Sequence, residues 1–133
     1  MDNDCDGHVD NLLSCWGCTE STGYVLCTTP ATWAQANDVC EALAGGLVHI
    51  TGSSGNRDVA ALAQQTAWIG LSDQDEEEVF VWTDGASISY ESWAVGQPDD
   101  AGGSDCVVTN LGGRRGDWGD ERCDGTYRFV CDR

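Results

Sequence analysis

The spacing of apolar positions changes part-way along the chain. Tyr24-Val25-Leu26-Cys27 is a short β-prone run that stops ahead of Pro30. Thr32 with Gln35 three residues on makes a capping box, and Trp33, Ala36, Cys40 and Leu43 then recur at helical spacing until Gly45 and Gly46 end the pattern. Leu47 to Ile50 reads as a strand. Ser53 or Ser54 can cap a second helix running through Gln65, with Val59, Leu62 and Ala63 as its buried stripe. From Trp68-Ile69-Gly70-Leu71 onward the runs shorten to strands, Val79 to Trp82, Cys106 to Thr109 and Tyr127 to Cys131, separated by glycine and aspartate. Two helices early and an antiparallel sheet later predict an α+β fold.

Composition narrows the class. At 133 residues and 14.2 kDa the chain suits a single core. There is no apolar run of about 18 residues and no basic start leading into a hydrophobic stretch, so neither a membrane span nor a secretion signal is visible in this sequence. Eight cysteines in so short a chain point to an oxidising, secreted or extracellular setting. Cys15 and Cys18 have zinc-site spacing but lack a second pair or a histidine cluster, so disulfides are the better reading. The net charge is −17, from 23 acidic residues against six arginines and no lysine. Such a field repels nucleic acid and anionic membranes, and each bound calcium would cancel two units of it.

The acidic residues are not spread evenly. Between Trp93 and Cys123 lie Gln97, Asp99, Asp100, Asp105, Asp117, Asp120 and Glu121, a supply of hard oxygen donors on a loop held by cysteines. Calcium takes six to eight such oxygens, so a calcium loop is expected here in place of a merely solvated acidic one. At the other end, Asp2, Asp4, Asp6 and Asp10, with Gly7 at the turn, match the early positions of a calcium loop. Leu13 stands where an EF-hand has its bidentate glutamate. The segment is therefore no full EF-hand and resembles one copy of the short aspartate-rich repeats of the thrombospondin type 3 and bacterial metal-binding families. No Ser-His-Asp, Cys-His or dinucleotide-glycine motif is present, and a non-enzyme is expected. His49 reads as a partly buried, hydrogen-bonded side chain. Trp33, Trp68, Trp82, Trp93 and Trp118 read as packing positions, and Trp16 has no assigned role.

From about Tyr24 to Asp132 the sequence resembles the C-type lectin-like domain. The matching features are Trp33 and Cys40 on the first helix, Trp68-Ile69-Gly70-Leu71, Trp82, Trp93 with Gly96, Gln97-Pro98-Asp99, Asp105-Cys106, Trp118-Gly119-Asp120 before Cys123, and Phe129-Val130-Cys131. The resemblance implies a C-type lectin-like fold over residues 18–133, preceded by an acidic segment over 1–17. It implies the disulfides Cys40 with Cys131 and Cys106 with Cys123. Cys18 with Cys27 and Cys5 with Cys15 complete the expected set.

In that family a sugar-binding calcium takes side chains from a Glu-Pro-Asn or Gln-Pro-Asp triplet, from a glutamate near a loop cysteine, and from an Asn-Asp pair after a tryptophan. Carried over, this implies Gln97, Asp99 and Asp120, with a cis bond before Pro98. Ser104 stands at the glutamate position and Gly119 at the asparagine position, with Asp105, Asp117 and Glu121 as candidate replacements. The neighbouring calcium site maps onto Asp73, Glu77, Asp100 and Asp105. The Gln-Pro-Asp order goes with galactose, so the expected function is calcium-dependent binding of galactose-type carbohydrate. The alternative expectation is a protein-interaction domain that keeps structural calcium and has lost the sugar, and Ser104 and Gly119 favour it.

Overall fold

The computed structural model describes residues 16–21, 23–43, 45–73, 79–96 and 105–132. In chain order these form β1 (Cys18–Ser21), β2 (Tyr24–Ala31), α1 (Trp33–Leu43), α2 (Ser53–Ala63), β3 (Ala67–Ser72), β4 (Val81–Trp82), β5 (Cys106–Thr109), β6 (Gly119–Glu121) and β7 (Tyr127–Asp132). The strands make one sheet in the order β1-β2-β7-β3-β5-β6, with β4 paired to the far half of β3. All pairs are antiparallel except β3 with β7, which run parallel through Ala67 opposite Arg128 and Trp68 opposite Phe129. The expected α+β C-type lectin fold is present, and the parallel pair is an addition to the antiparallel sheet expected.

The first helix starts as the capping box predicts. Thr32 N–H donates to Gln35 Oε1 at 3.0 Å, and Gln35 N–H donates back to Thr32 Oγ1 at 3.2 Å. Its buried side, Trp33, Ala36, Val39 and Cys40, packs under one face of the sheet with Trp68, Val108 and Phe129. α2 covers the other face, where Val59 and Ala63 meet Ile69, Leu71, Trp82, Val107 and Trp118. Two of the indole N–H groups in this core are satisfied by backbone carbonyls: Trp33 Nε1 donates to Ile69 O (2.9 Å) and Trp68 Nε1 to Ala31 O (2.7 Å).

Several boundaries differ from the expectation, each for a local reason. β2 runs through Pro30 to Ala31, and a register shift between Cys27 and Ala31 accommodates the missing donor. Neither Ser53 nor Ser54 caps α2. Gly52 occupies that position without a side-chain hydrogen bond, and Gln64, in a left-handed conformation, ends the helix by donating its N–H to Ala60 O. Leu47 to Ile50 is not a strand. Its bonds go to two neighbours at once, Val48 N–H to Val130 O and Gly70 N–H to Val48 O, with Leu47 bridging Cys131. Val79 to Trp82 shortens to β4, and Val79 is exposed.

That wedge explains Gly70. A Cβ there would sit 2.7 Å from Leu47 O and 2.9 Å from Val48 O, both backbone atoms with no room to give. Gly70→Ala is expected to destabilise the domain by about 1 to 3 kcal/mol through overpacking. Urea unfolding measures this directly, and an unchanged midpoint would show that the wedge can relax.

Trp16 and Gly17 continue the entry hairpin, accepting from Thr29 N–H and Thr28 N–H, and the Trp16 ring meets Phe129 edge-on at 6.1 Å. Disulfides join Cys18 to Cys27, Cys40 to Cys131 and Cys106 to Cys123. Cys5 and Cys15 lie outside the described residues. His49 is mostly buried, stacks on Trp82 at 4.6 Å and shares a 3.2 Å contact from Nδ1 to Asp84 Oδ2, while its backbone N–H donates to Asp132 Oδ2. Burial pushes the Asp132 carboxyl above its ordinary range, only partly offset by that hydrogen bond and by His49. Among the described residues no helix is long and apolar enough to cross a membrane.

Candidate functional site

Register places three carboxylates on one face of the sheet. Asp73 N–H donates to Asp105 O at 2.9 Å, which sets the two residues side by side just beyond the paired ends of β3 and β5. Alternation along β5 puts Asp105 on the same face as Val107, and Val107 is paired with Asp120 on β6. Asp73, Asp105 and Asp120 therefore share the face that carries Leu71, Val107 and Trp118. Asp73 is 2% exposed and Asp120 4%. Oδ1 of Asp105 is shut off from solvent and has no hydrogen-bond partner among the described residues.

A carboxylate oxygen buried without a donor is costly, and a bound cation would relieve it. Beside two further buried carboxylates, a hard divalent cation is the chemically matched partner. Asp73 and Asp105 are the described residues that could contribute oxygens to such a cation. Among the described residues there is no cluster of three or more His, Cys, Asp or Glu close enough to complete such a site. Glu77, Gln97, Pro98, Asp99, Asp100 and Ser104 lie outside the described residues, as do Asp2, Asp4, Asp6 and Asp10.

Of the three candidate replacements, Asp105 lies on this face, while Glu121 and Asp117 are engaged elsewhere. Glu121 pairs with Cys106, which turns it toward the opposite side, where it hydrogen-bonds Tyr127. The Tyr127 phenol is raised above its ordinary range by burial first and then by that carboxylate. Asp117 is engaged by Arg114, whose Nε lies 3.4 Å from its Oδ2. Gly119 pairs with Val108 and also faces the opposite side, where a Cβ would overlap the Leu111 methyl groups. A side chain at 119 would therefore meet Leu111 instead of joining Asp120.

An aromatic cluster supports the acidic face from beneath. Trp118 is its hub, edge-on to Trp82 (5.7 Å), Trp93 (5.8 Å) and Tyr90 (5.9 Å), while Phe80 packs on Trp93 at 5.1 Å. Trp118 N–H donates to Ser92 O and Ala94 N–H donates to Trp118 O, both at 2.8 Å, so the segment leading toward Gln97 is laced to the strand that carries Asp120.

Two asparagines absent from the expectation lock this arrangement. Asn56 accepts from Trp118 Nε1 (2.7 Å) and donates to Gly116 O (3.1 Å). Asn110, in a left-handed conformation, donates to Ala60 O and Gln65 O and accepts from Gly116 N–H at 2.8 Å. Asn56 sits three residues before Val59 on the apolar stripe of its helix, and that polar interruption was its visible signal.

Comparison with known proteins agrees with this fold. The Lectin C-type domain family model matches residues 29–133. Human lithostathine-1-beta is 31% identical over 116 residues, 81% of this chain and 69% of that protein. The human low affinity immunoglobulin epsilon Fc receptor is 36% identical over 104 residues, which cover 76% of this chain and 32% of the receptor. Among solved structures, the carbohydrate-recognition domain of the mouse scavenger receptor C-type lectin superposes with a TM-score of 0.76 at 27% identity, over 87% of this chain and 92% of that one. The cow CD23 domain, solved in the presence of a GlcNAc2Man3 oligosaccharide, gives 0.76 at 32% identity with the same coverage. Herring type II antifreeze protein, 23% identical over 87% of this chain and 94% of that one, shares the fold with a TM-score of 0.77. The chain belongs to the C-type lectin domain family.

Proposed function

We propose that this domain is a secreted, calcium-dependent carbohydrate-binding module with a galactose-type preference. C-type lectin domains are generally binding modules and not catalysts. The observation that carries the reading is the shared face of Asp73, Asp105 and Asp120, with Asp105 Oδ1 buried and lacking a donor among the described residues. In this reading Asp73, Glu77, Asp100 and Asp105 hold a structural calcium, and Gln97, Asp99 and Asp120 serve a second one. Calcium, when bound, would supply a hard Lewis-acidic centre able to take sugar hydroxyl oxygens as ligands. Gln97 and Asp99 then donate to and accept from those hydroxyls, and their order selects the galactose-type pair. The acidic segment of residues 1–17 is proposed as a further calcium-binding element. The related cow domain solved with an oligosaccharide supports carbohydrate as the ligand class.

Gly119 favours the second reading, a protein-interaction domain with structural calcium alone, because position 119 faces Leu111 and offers no ligand. A glycan array read with and without chelator separates the two. Galactose-terminated glycans retained in calcium and lost in chelator, and lost with Asp120→Asn, are expected. Calcium binding by titration with no glycan retained would leave only the second reading.

A further inference from the structure

We infer that Asn56 is a positioning residue for the acidic face, acting through Trp118 from the helix packed on that same side of the sheet; this rests on the calcium reading proposed above. Asn56 is 6% exposed and projects from α2 into the second core. Its amide has both ends used: Oδ1 takes the Trp118 indole N–H at 2.7 Å, and Nδ2 gives to Gly116 O at 3.1 Å. Gly116 is held in turn by Asn110 Oδ1 and by Ser92 Oγ, which donates to the same Gly116 oxygen at 2.8 Å. One helical side chain thereby fixes the turn that feeds β6 and, through Trp118, the backbone of Ser92 and Ala94 that leads to Gln97.

The consequence is mechanical. Asp120 lies two residues beyond Trp118, and the strand that carries it has only three residues of its own. So short a strand has little intrinsic persistence, and its register against β5 depends on what holds its entry. A buried amide with both hydrogen bonds made is directional where apolar contacts are not, so it sets the angle of Trp118 as well as its depth. Asn56 therefore couples the docking of α2 to the placement of Asp120, and a cation bound on the acidic face tightens α2 in return.

The test compares Asn56→Ala with Val59→Ala, which removes packing from the same helix face but leaves the Trp118 indole hydrogen bond in place. Trp118→Phe, which keeps the ring and loses the N–H, approaches from the other end. Amide hydrogen exchange in chelator reads the clamp itself. The amides of Gly119, Asp120 and Glu121 are expected to exchange about tenfold faster in Asn56→Ala and Trp118→Phe, the change one buried hydrogen bond gives, and to be unchanged in Val59→Ala. Calcium titration well below the melting temperature is expected to show weaker affinity in the first two variants only. Equal effects of Asn56→Ala and Val59→Ala, or unaltered exchange in β6, would overturn the inference. So would unaltered affinity in a protein that binds calcium. Should the wild-type chain bind no calcium while the exchange contrast holds, the clamp stands and the calcium reading falls.

Discussion

Replacing Cys40 and Cys131 together with alanine is expected to cost the domain about 4 to 5 kcal/mol and to leave little of it folded at about 37 °C. The bond spans a sequence separation of 91 and ties α1 to β7, so it removes most of the conformational freedom the unfolded chain would otherwise gain. Both half-cystines are fully buried among Trp68, Val108 and Phe129, and their loss also opens a gap in the first core. The bond from Cys18 to Cys27 spans only 9 positions and lies at the sheet edge. The same chain-entropy reasoning assigns it about 2 kcal/mol less. Urea unfolding of the two double-alanine variants gives the comparison, and equal losses would show that loop length is not the governing quantity.

Calcium is expected to raise the melting temperature by roughly 10 °C at a free concentration about 100 times the dissociation constant, equivalent to about 2.7 kcal/mol per site. The sharper form of the prediction concerns Asp105→Asn. With chelator present, removing a carboxylate whose Oδ1 is buried and has no donor among the described residues is expected to leave the protein as stable as wild type or more so. With calcium present, the same variant is expected to melt well below wild type because a ligand is gone. Such a crossover is diagnostic, since a merely structural aspartate would lower stability under both conditions. The calcium-dependent gain is also expected to shrink on acidification, because the ligands must be deprotonated to bind. Differential scanning calorimetry at several pH values, with and without chelator, reads all three effects.

Some parts of this molecule were legible from residues alone. Thr32 and Gln35 announced a helix start that forms bond for bond, and Cys106 to Thr109 became a strand with the expected limits. Both are governed by local chemistry, a reciprocal cap in one case and an uninterrupted β-branched run in the other. β6 was not legible, because Gly-Asp-Glu has no intrinsic preference for a strand and is one only through its pairing with β5. Leu47 to Ile50 misled for the converse reason: it is extended and apolar, yet divides its hydrogen bonds between two neighbours.

At the site, the identities of Asp73, Asp105 and Asp120 were available from the sequence, while their common face depended on register across three strands. Register also separates acidic residues that are neighbours in sequence. Glu121 is adjacent to Asp120 in sequence and on the other side of the sheet in space. Family spacing cannot distinguish those neighbours; alternation does.

The place of β7 between β2 and β3 has a consequence for how the protein comes to be. The strand made last in the domain occupies an interior position, paired antiparallel on one side and parallel on the other. While a ribosome is still producing it, β2 and β3 have no common neighbour, and the earlier half-cystine Cys40 waits for Cys131. Folding is therefore deferred until synthesis of the domain is complete, and it then proceeds through contacts distant in sequence, which are slow to form. In that interval the thiols are open to wrong partners, so yield on expression is expected to depend on a disulfide isomerase more than on a holdase chaperone.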